Sequence, residues 1–197
     1  MQTIAQILAL IGGLLFSGEP APTHENLQRA MLDQLTFQHS KRTGRPKYIG
    51  HCHRAPQGCP ARVRLFTYWI GREALRQRVD PWTLAALVLH ESGGNPYAAG
   101  GIGERGLVQI APGTARKFRG VANWYRDAEH RDACTEILGA CQFPFVEAAA
   151  IILRRSLDAC GSMDAALGRY GSGRCLDGSR YARGVRYHRR RLIEAAR

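Results

Sequence analysis

Apolar positions recur at helical spacing along most of the chain, and the places where they stop mark its joints. Ile4 to Phe16 is mostly apolar and carries no charged side chain, so residues 1–20 are expected to be a secretory signal or another N-terminal apolar segment. The flanks fit a signal poorly: no Lys or Arg precedes the run, and Leu15 and Phe16 stand where a cleavage site takes small residues. The run is also shorter than the roughly 20 apolar residues of a membrane-spanning helix, and the other reading is an N-terminal core helix. From Thr23 to about His39 a helix is expected, with Leu27, Met31, Leu32 and Leu35 on one face. His39 to Pro60 is basic and rich in Gly and Pro, which predicts an extended connection or a small disulfide-closed loop.

Helical spacing returns from about Ala61 to Arg78, with Val63, Phe66, Ile70 and Leu75. Asp80 then offers a helix cap and Pro81 suits the first helical position, where a missing N–H costs nothing. The apolar run Trp82 to Leu89 ends on His90-Glu91-Ser92 and breaks at Gly93-Gly94-Asn95-Pro96. Short helices are expected over Pro112 to Phe118 and within 120–142. Phe143 to Ala159 is apolar on most sides and predicts a central helix. Ser162 caps a helix leading to Tyr170, and a last helix runs from about Ser179 to Ala196. The pattern is mainly α, with few or no strands.

A chain of 197 residues is long enough for one well-buried domain and short for two. Its formal charge of +12 points to a polyanionic partner: cell wall, an anionic membrane surface or nucleic acid. Cys52, Cys59, Cys134, Cys141, Cys160 and Cys175 fall as three successive local pairs. In an exported chain these read as three short-loop disulfides, 52–59, 134–141 and 160–175 being the simplest pairing. His51, Cys52, His53 and Cys59 lack the second close pair that structural zinc needs, so no metal site is expected, and no nucleotide or zinc-protease motif is present.

The chemistry concentrates at Glu91. A carboxylate at the end of a buried helix loses water and faces the negative end of the helix dipole, and both raise its pKa. The low-bulk run Gly100 to Gly106 then lets a backbone approach a ligand closely. Together, Glu91-Ser92-x-x-Asn95-Pro96 and Gly103-x-x-Gly106-Leu107-x-Gln109-Ile110-x-Pro112-x-Thr114-Ala115 resemble the soluble lytic murein transglycosylases of goose-lysozyme-like type. Ala166-Leu167-x-x-Tyr170-x-x-Gly173 resembles a second run of that family, A-L-x-x-Y-N-x-G, with Gly171 in place of the Asn. The resemblance covers roughly residues 65 to 190.

It implies a lysozyme-like helical domain over 61–197, behind an N-terminal helix and basic connection over 21–60. It also implies cleavage of the MurNAc–GlcNAc bond of peptidoglycan to a 1,6-anhydro product, with Glu91 as the single general acid/base and no cofactor. Gln109 would bond the sugar and Tyr170 would sit near Glu91, orienting it. Ser92 and Val108 would join Gln109 and Tyr170 as substrate-binding residues, and Asn95, Gly103 and Gly106 would shape the turns of the motif. Goose-type lysozymes carry an Asp before their glycine-rich run; the acidic residue nearest that place is Glu104, read as a solvated loop charge paired with Arg105. The expected partners are glycan strands, with a cell-envelope assembly apparatus as a further one, for an exported periplasmic monomer that does not bind nucleic acid. Two other readings stand beside this one: a muramidase using water, and a non-catalytic basic protein that binds wall polymer or nucleic acid.

Overall fold

The computed structural model of the chain describes residues 22–55, 57–126 and 140–197. Helix α1 (His24–Leu35) starts on Thr23, whose Oγ1 accepts from the Asn26 N–H at 3.1 Å. It stops earlier than the apolar spacing predicts. Thr36 turns extended, its hydroxyl donates back to the Leu32 carbonyl at 2.8 Å, and Thr36–His39 becomes strand β1. β1 pairs antiparallel with β2 (Pro46–Tyr48), forming a hairpin within the stretch expected to be helix end and connection. A short helix, α2 (Gly50–His53), leads through the Cys52–Cys59 disulfide into α3 (Cys59–Gln77).

Asp80 organises the next joint. Its carboxylate accepts from the N–H groups of Trp82 (3.3 Å) and Thr83 (3.1 Å), opening α4 (Pro81–Ser92) as the Asp-Pro signal predicts. Arg189 Nε donates to the same carboxylate at 2.7 Å, so the cap also ties α4 to the last helix. Every residue from Trp82 to Leu89 is buried, which makes α4 the centre of the molecule. Each large apolar side chain there contributes about 1.5–3 kcal/mol.

Around it the chain adds α5 (Pro112–Ala115), α6 (Arg119–Arg126), a 3₁₀ turn at Ala140–Gln142, α7 (Phe143–Cys160), α8 (Met163–Ser172) and α9 (Arg180–Ala196). The fold is mainly α and lysozyme-like, with one small two-stranded sheet among the described residues. α4 packs against α9 and α3, α7 against α3 and α8, and α1 against α9 and α3. Leu27, Ala30, Met31 and Leu35 of α1 therefore belong to the same core as α4.

Ser162 caps α8 as expected, its Oγ accepting from Ala165 N–H at 3.1 Å. The disulfide Cys160–Cys175 brackets that helix. Closing a loop of 15 residues restricts the unfolded chain by about 3 kcal/mol. The expected partner of Cys141, Cys134, lies outside the described residues.

Candidate active site

Glu91 lies in the last turn of α4, where the left-handed Gly93 ends the helix. Its turn is braced on two sides. Ser92 Oγ lies against the carbonyls of Val88 (3.1 Å) and Leu107 (2.8 Å), joining the helix to the glycine-rich segment, and Asn95 Oδ1 accepts from Tyr97 N–H at 3.0 Å. From the N-terminal side, His51 Nε2 bonds the Gly93 carbonyl at 3.0 Å, and the buried Arg62 donates to the His51 carbonyl at 2.7 Å. The His51 end of the disulfide-closed segment thus sits behind the turn that carries Glu91.

The segment from Ala99 to Ile110 doubles back through bridges Ala99–Arg105 and Arg105–Ile110. Gly106 (φ +79°) lies where a Cβ would stand 2.5 Å from Gln142 Oε1, and that oxygen accepts from Leu107 N–H at 2.9 Å. Only glycine fits so close to a buried side chain. The Tyr125 hydroxyl lies against the carbonyls of Gly103 (3.0 Å) and Ile110, holding the two arms together.

Gln109 adopts φ +45°, a left-handed conformation that costs a non-glycine residue about 1 kcal/mol or more. Its amide nitrogen offsets that by donating to the Ala98 (3.1 Å) and Gly106 (2.9 Å) carbonyls. The amide oxygen is left facing Gly100.

Between these elements and α8 and α9 lies a cleft of about 600 Å³, whose lining includes Glu91, Glu104, Gln109, Tyr170 and Tyr181. Lys117, Arg155 and Arg169 bring positive charge to its walls. The Tyr181 hydroxyl of α9 donates to Glu91 Oε1. Burial raises the Glu91 carboxyl to about 7; the Tyr181 bond favours the ionised form and opposes this, while the Glu104 charge adds to the rise. Burial also pushes the Tyr181 and Tyr170 phenols well above their ordinary value, so both stay protonated donors.

The sequence expectation for this site needs redistribution. Tyr170 lines the cleft near Glu91, whose charge adds to the rise of its phenol, but its hydroxyl donates to the Val108 carbonyl at 3.2 Å, and the tyrosine that bonds Glu91 is Tyr181. The two rings stack at 6.0 Å and 22°. Val108, expected to bind substrate, is fully buried, and its carbonyl accepts from the Tyr170 hydroxyl. Ser92 is spent on backbone carbonyls and serves the turn. Glu104 does not pair with Arg105, whose guanidinium donates to the Glu104 backbone carbonyl at 3.1 Å. Tyr181 stands on the arginine-rich last helix, and nothing in its spacing marks it as a site residue.

A smaller cavity of about 410 Å³ opens beside Asp80, Asp164, Arg186 and Arg189, where the acids are already paired as Asp80–Arg189 and Asp164–Arg186. The cleft at Glu91 is where burial raises a carboxyl to about 7.

Residues 68–179 match the family model described as "Transglycosylase SLT domain", more than half of the chain. A protein named "Transglycosylase" from Enterobacteria phage PRD1 is 35% identical over 104 residues, 53% of this chain and 33% of the phage protein. The chain spans about a third of the length of that curated relative. Glu91, Gln109 and Tyr170 fall inside the matched range, and Tyr181 falls just beyond its end.

Proposed function

Because the chain belongs to the transglycosylase SLT domain family, we propose that it is a lytic transglycosylase cleaving the MurNAc–GlcNAc bond of peptidoglycan, with Glu91 as its single acid/base. The observation that carries the reading is the Glu91 carboxyl, raised to about 7 by burial and bonded by a phenol that stays protonated. Glycoside cleavage starts with proton donation to the leaving oxygen as positive charge builds on the anomeric carbon, and a carboxyl protonated near neutrality suits that step.

Glu91 gives its proton to the glycosidic oxygen, and the C–O bond breaks with its electron pair leaving on that oxygen. The C6 hydroxyl of the muramic acid then attacks its own anomeric carbon, and the Glu91 carboxylate takes the hydroxyl proton. The product is a 1,6-anhydro ring, and the enzyme returns to its starting state with no water consumed. Intramolecular attack saves most of the entropy of bringing in a nucleophile. Tyr181 donates to Glu91 Oε1 and stabilises the carboxylate between the two transfers.

Lys117, Arg155 and Arg169 on the cleft walls suit a glycan that carries acidic stems. With a wall polymer as substrate, the site of action is the cell envelope, for an exported monomer working alone or in an envelope assembly apparatus. Among the described residues no helix is long and apolar enough to cross a membrane.

Mass spectrometry of digested peptidoglycan tests the reaction. Anhydromuropeptides are the expected product; fragments one water heavier throughout would overturn the transglycosylase reading in favour of a muramidase. One observation favours that second reading, namely that a second carboxylate, Glu104, lines the same cleft.

The activity also has a predicted pH dependence. The first step needs protonated Glu91, so the rate falls as pH rises through about 7. In Tyr181→Phe the bond that favours the carboxylate is gone, so this limb moves to higher pH while kcat drops about tenfold. A limb that stays put in the variant would remove Tyr181 from the proton balance.

A further inference from the structure

The Glu104 carboxylate turns away from Arg105 and into the cleft. Its Oε2 accepts from Ile102 N–H at 3.0 Å. Beneath it lies Gly100, where a Cβ would stand 2.4 Å from Glu104 Oε2 and 2.9 Å from Gln109 Oε1. The side-chain heads of Glu104 and Gln109 therefore flank one backbone position that has no side chain of its own. The Gln109 nitrogen is fixed on two backbone carbonyls, which aims its oxygen toward that position.

Two acceptors held side by side in a partly enclosed cleft suit a ligand with two neighbouring donors. Adjacent ring positions of a pyranose provide them as hydroxyls or as a hydroxyl beside an acetamido N–H. A carboxylate is the stronger of the two acceptors, since a charge-assisted bond is about twice as strong as a neutral one.

We infer that Glu104 and Gln109 form a paired acceptor that binds two adjacent donors of one sugar ring, Glu104 being a substrate-binding carboxylate of this cleft. The inference rests on the reading of the cleft as a glycan site and is independent of which nucleophile completes the reaction. The same carboxylate, lining the cleft with Glu91, adds to the rise that burial gives the Glu91 carboxyl.

The test is calorimetric binding of the β-1,4-linked N-acetylglucosamine tetramer, with every variant made in a Glu91→Gln background so that nothing turns over. Glu104→Ala is expected to raise Kd on the order of tenfold. Glu104→Gln keeps the shape and an acceptor for the Ile102 N–H but loses the charge, and is expected to recover only part of that loss. Gly100→Ala keeps both functional groups and pushes their heads apart, and is expected to weaken binding about as much as Glu104→Ala. Equal Kd across the series, full rescue by Gln, or no binding of the tetramer to the Glu91→Gln parent would each overturn the inference. A wall digest without anhydro ends would instead overturn the proposed reaction and leave the paired acceptor standing.

Discussion

Glu91→Gln is expected to lower the rate of peptidoglycan cleavage by about 10³ or more while leaving the melting temperature unchanged or slightly raised. General acid–base catalysis by one positioned group contributes typically 10²–10⁴-fold, and in the proposed mechanism this group acts in both proton transfers. The amide has the same shape, and its oxygen still accepts from Tyr181. It also has no charge to desolvate. The wild-type carboxyl is pushed up to about 7 by that cost, so above this pH the variant avoids ionising a buried group. Muropeptide release and a thermal melt measured together check both halves. Release at the wild-type rate would remove Glu91 from the chemistry.

Gly171→Asn is the second large effect, expected to cost about 10²-fold in kcat although it installs the residue that the resembled family carries in the corresponding run. A Cβ at Gly171 would stand 2.5 Å from Cγ and Cδ2 of Tyr181 and 3.0 Å from its Cβ. The ring cannot yield by rotation alone, because its base is also too close. Tyr181 must move, and its hydroxyl leaves Glu91. A misplacement of about 1 Å in a catalytic group is enough for a loss of this size.

The distinguishing measurement is a cycle with Tyr181→Ala. If the Asn acts by displacing the ring, Gly171→Asn adds little once the ring is gone. A full additional loss in the double variant would assign the effect elsewhere. The departure at Gly171 is thus matched by a bulky neighbour on α9, and the two positions form one slot.

The helical frame was legible wherever local chemistry sets it. Asp80-Pro81 and Ser162 start helices at the predicted places because capping is decided within three or four residues. The apolar run Trp82 to Leu89 could only be central, since it has no polar face to give to water. The hairpin at Thr36–His39 was hidden because its helical spacing continues past the point where Thr36 closes the helix on itself.

At the site, Glu91 and Gln109 were visible through short motifs. Tyr181 was not, because its meeting with Glu91 spans 90 positions and depends on Gly171 of α8. The expected Glu104–Arg105 pair is absent for a related reason. Sequence places Glu104 beside Arg105, but the doubled-back loop sends the carboxylate and the guanidinium in different directions.

That long-range contact bears on the order in which the molecule can become active. A newly made chain has its acid, its glycine loop and its cleft floor well before α9 exists to dock on α4 and α1. Contacts so distant in sequence close late, because the intervening chain must be ordered before they stabilise anything. Until then Glu91 lacks the phenol that supports its carboxylate. Completion of the fold and arrival of the phenol at Glu91 are therefore one event, because Ala182, Val185 and Leu192 of the same helix belong to the core that α4 centres.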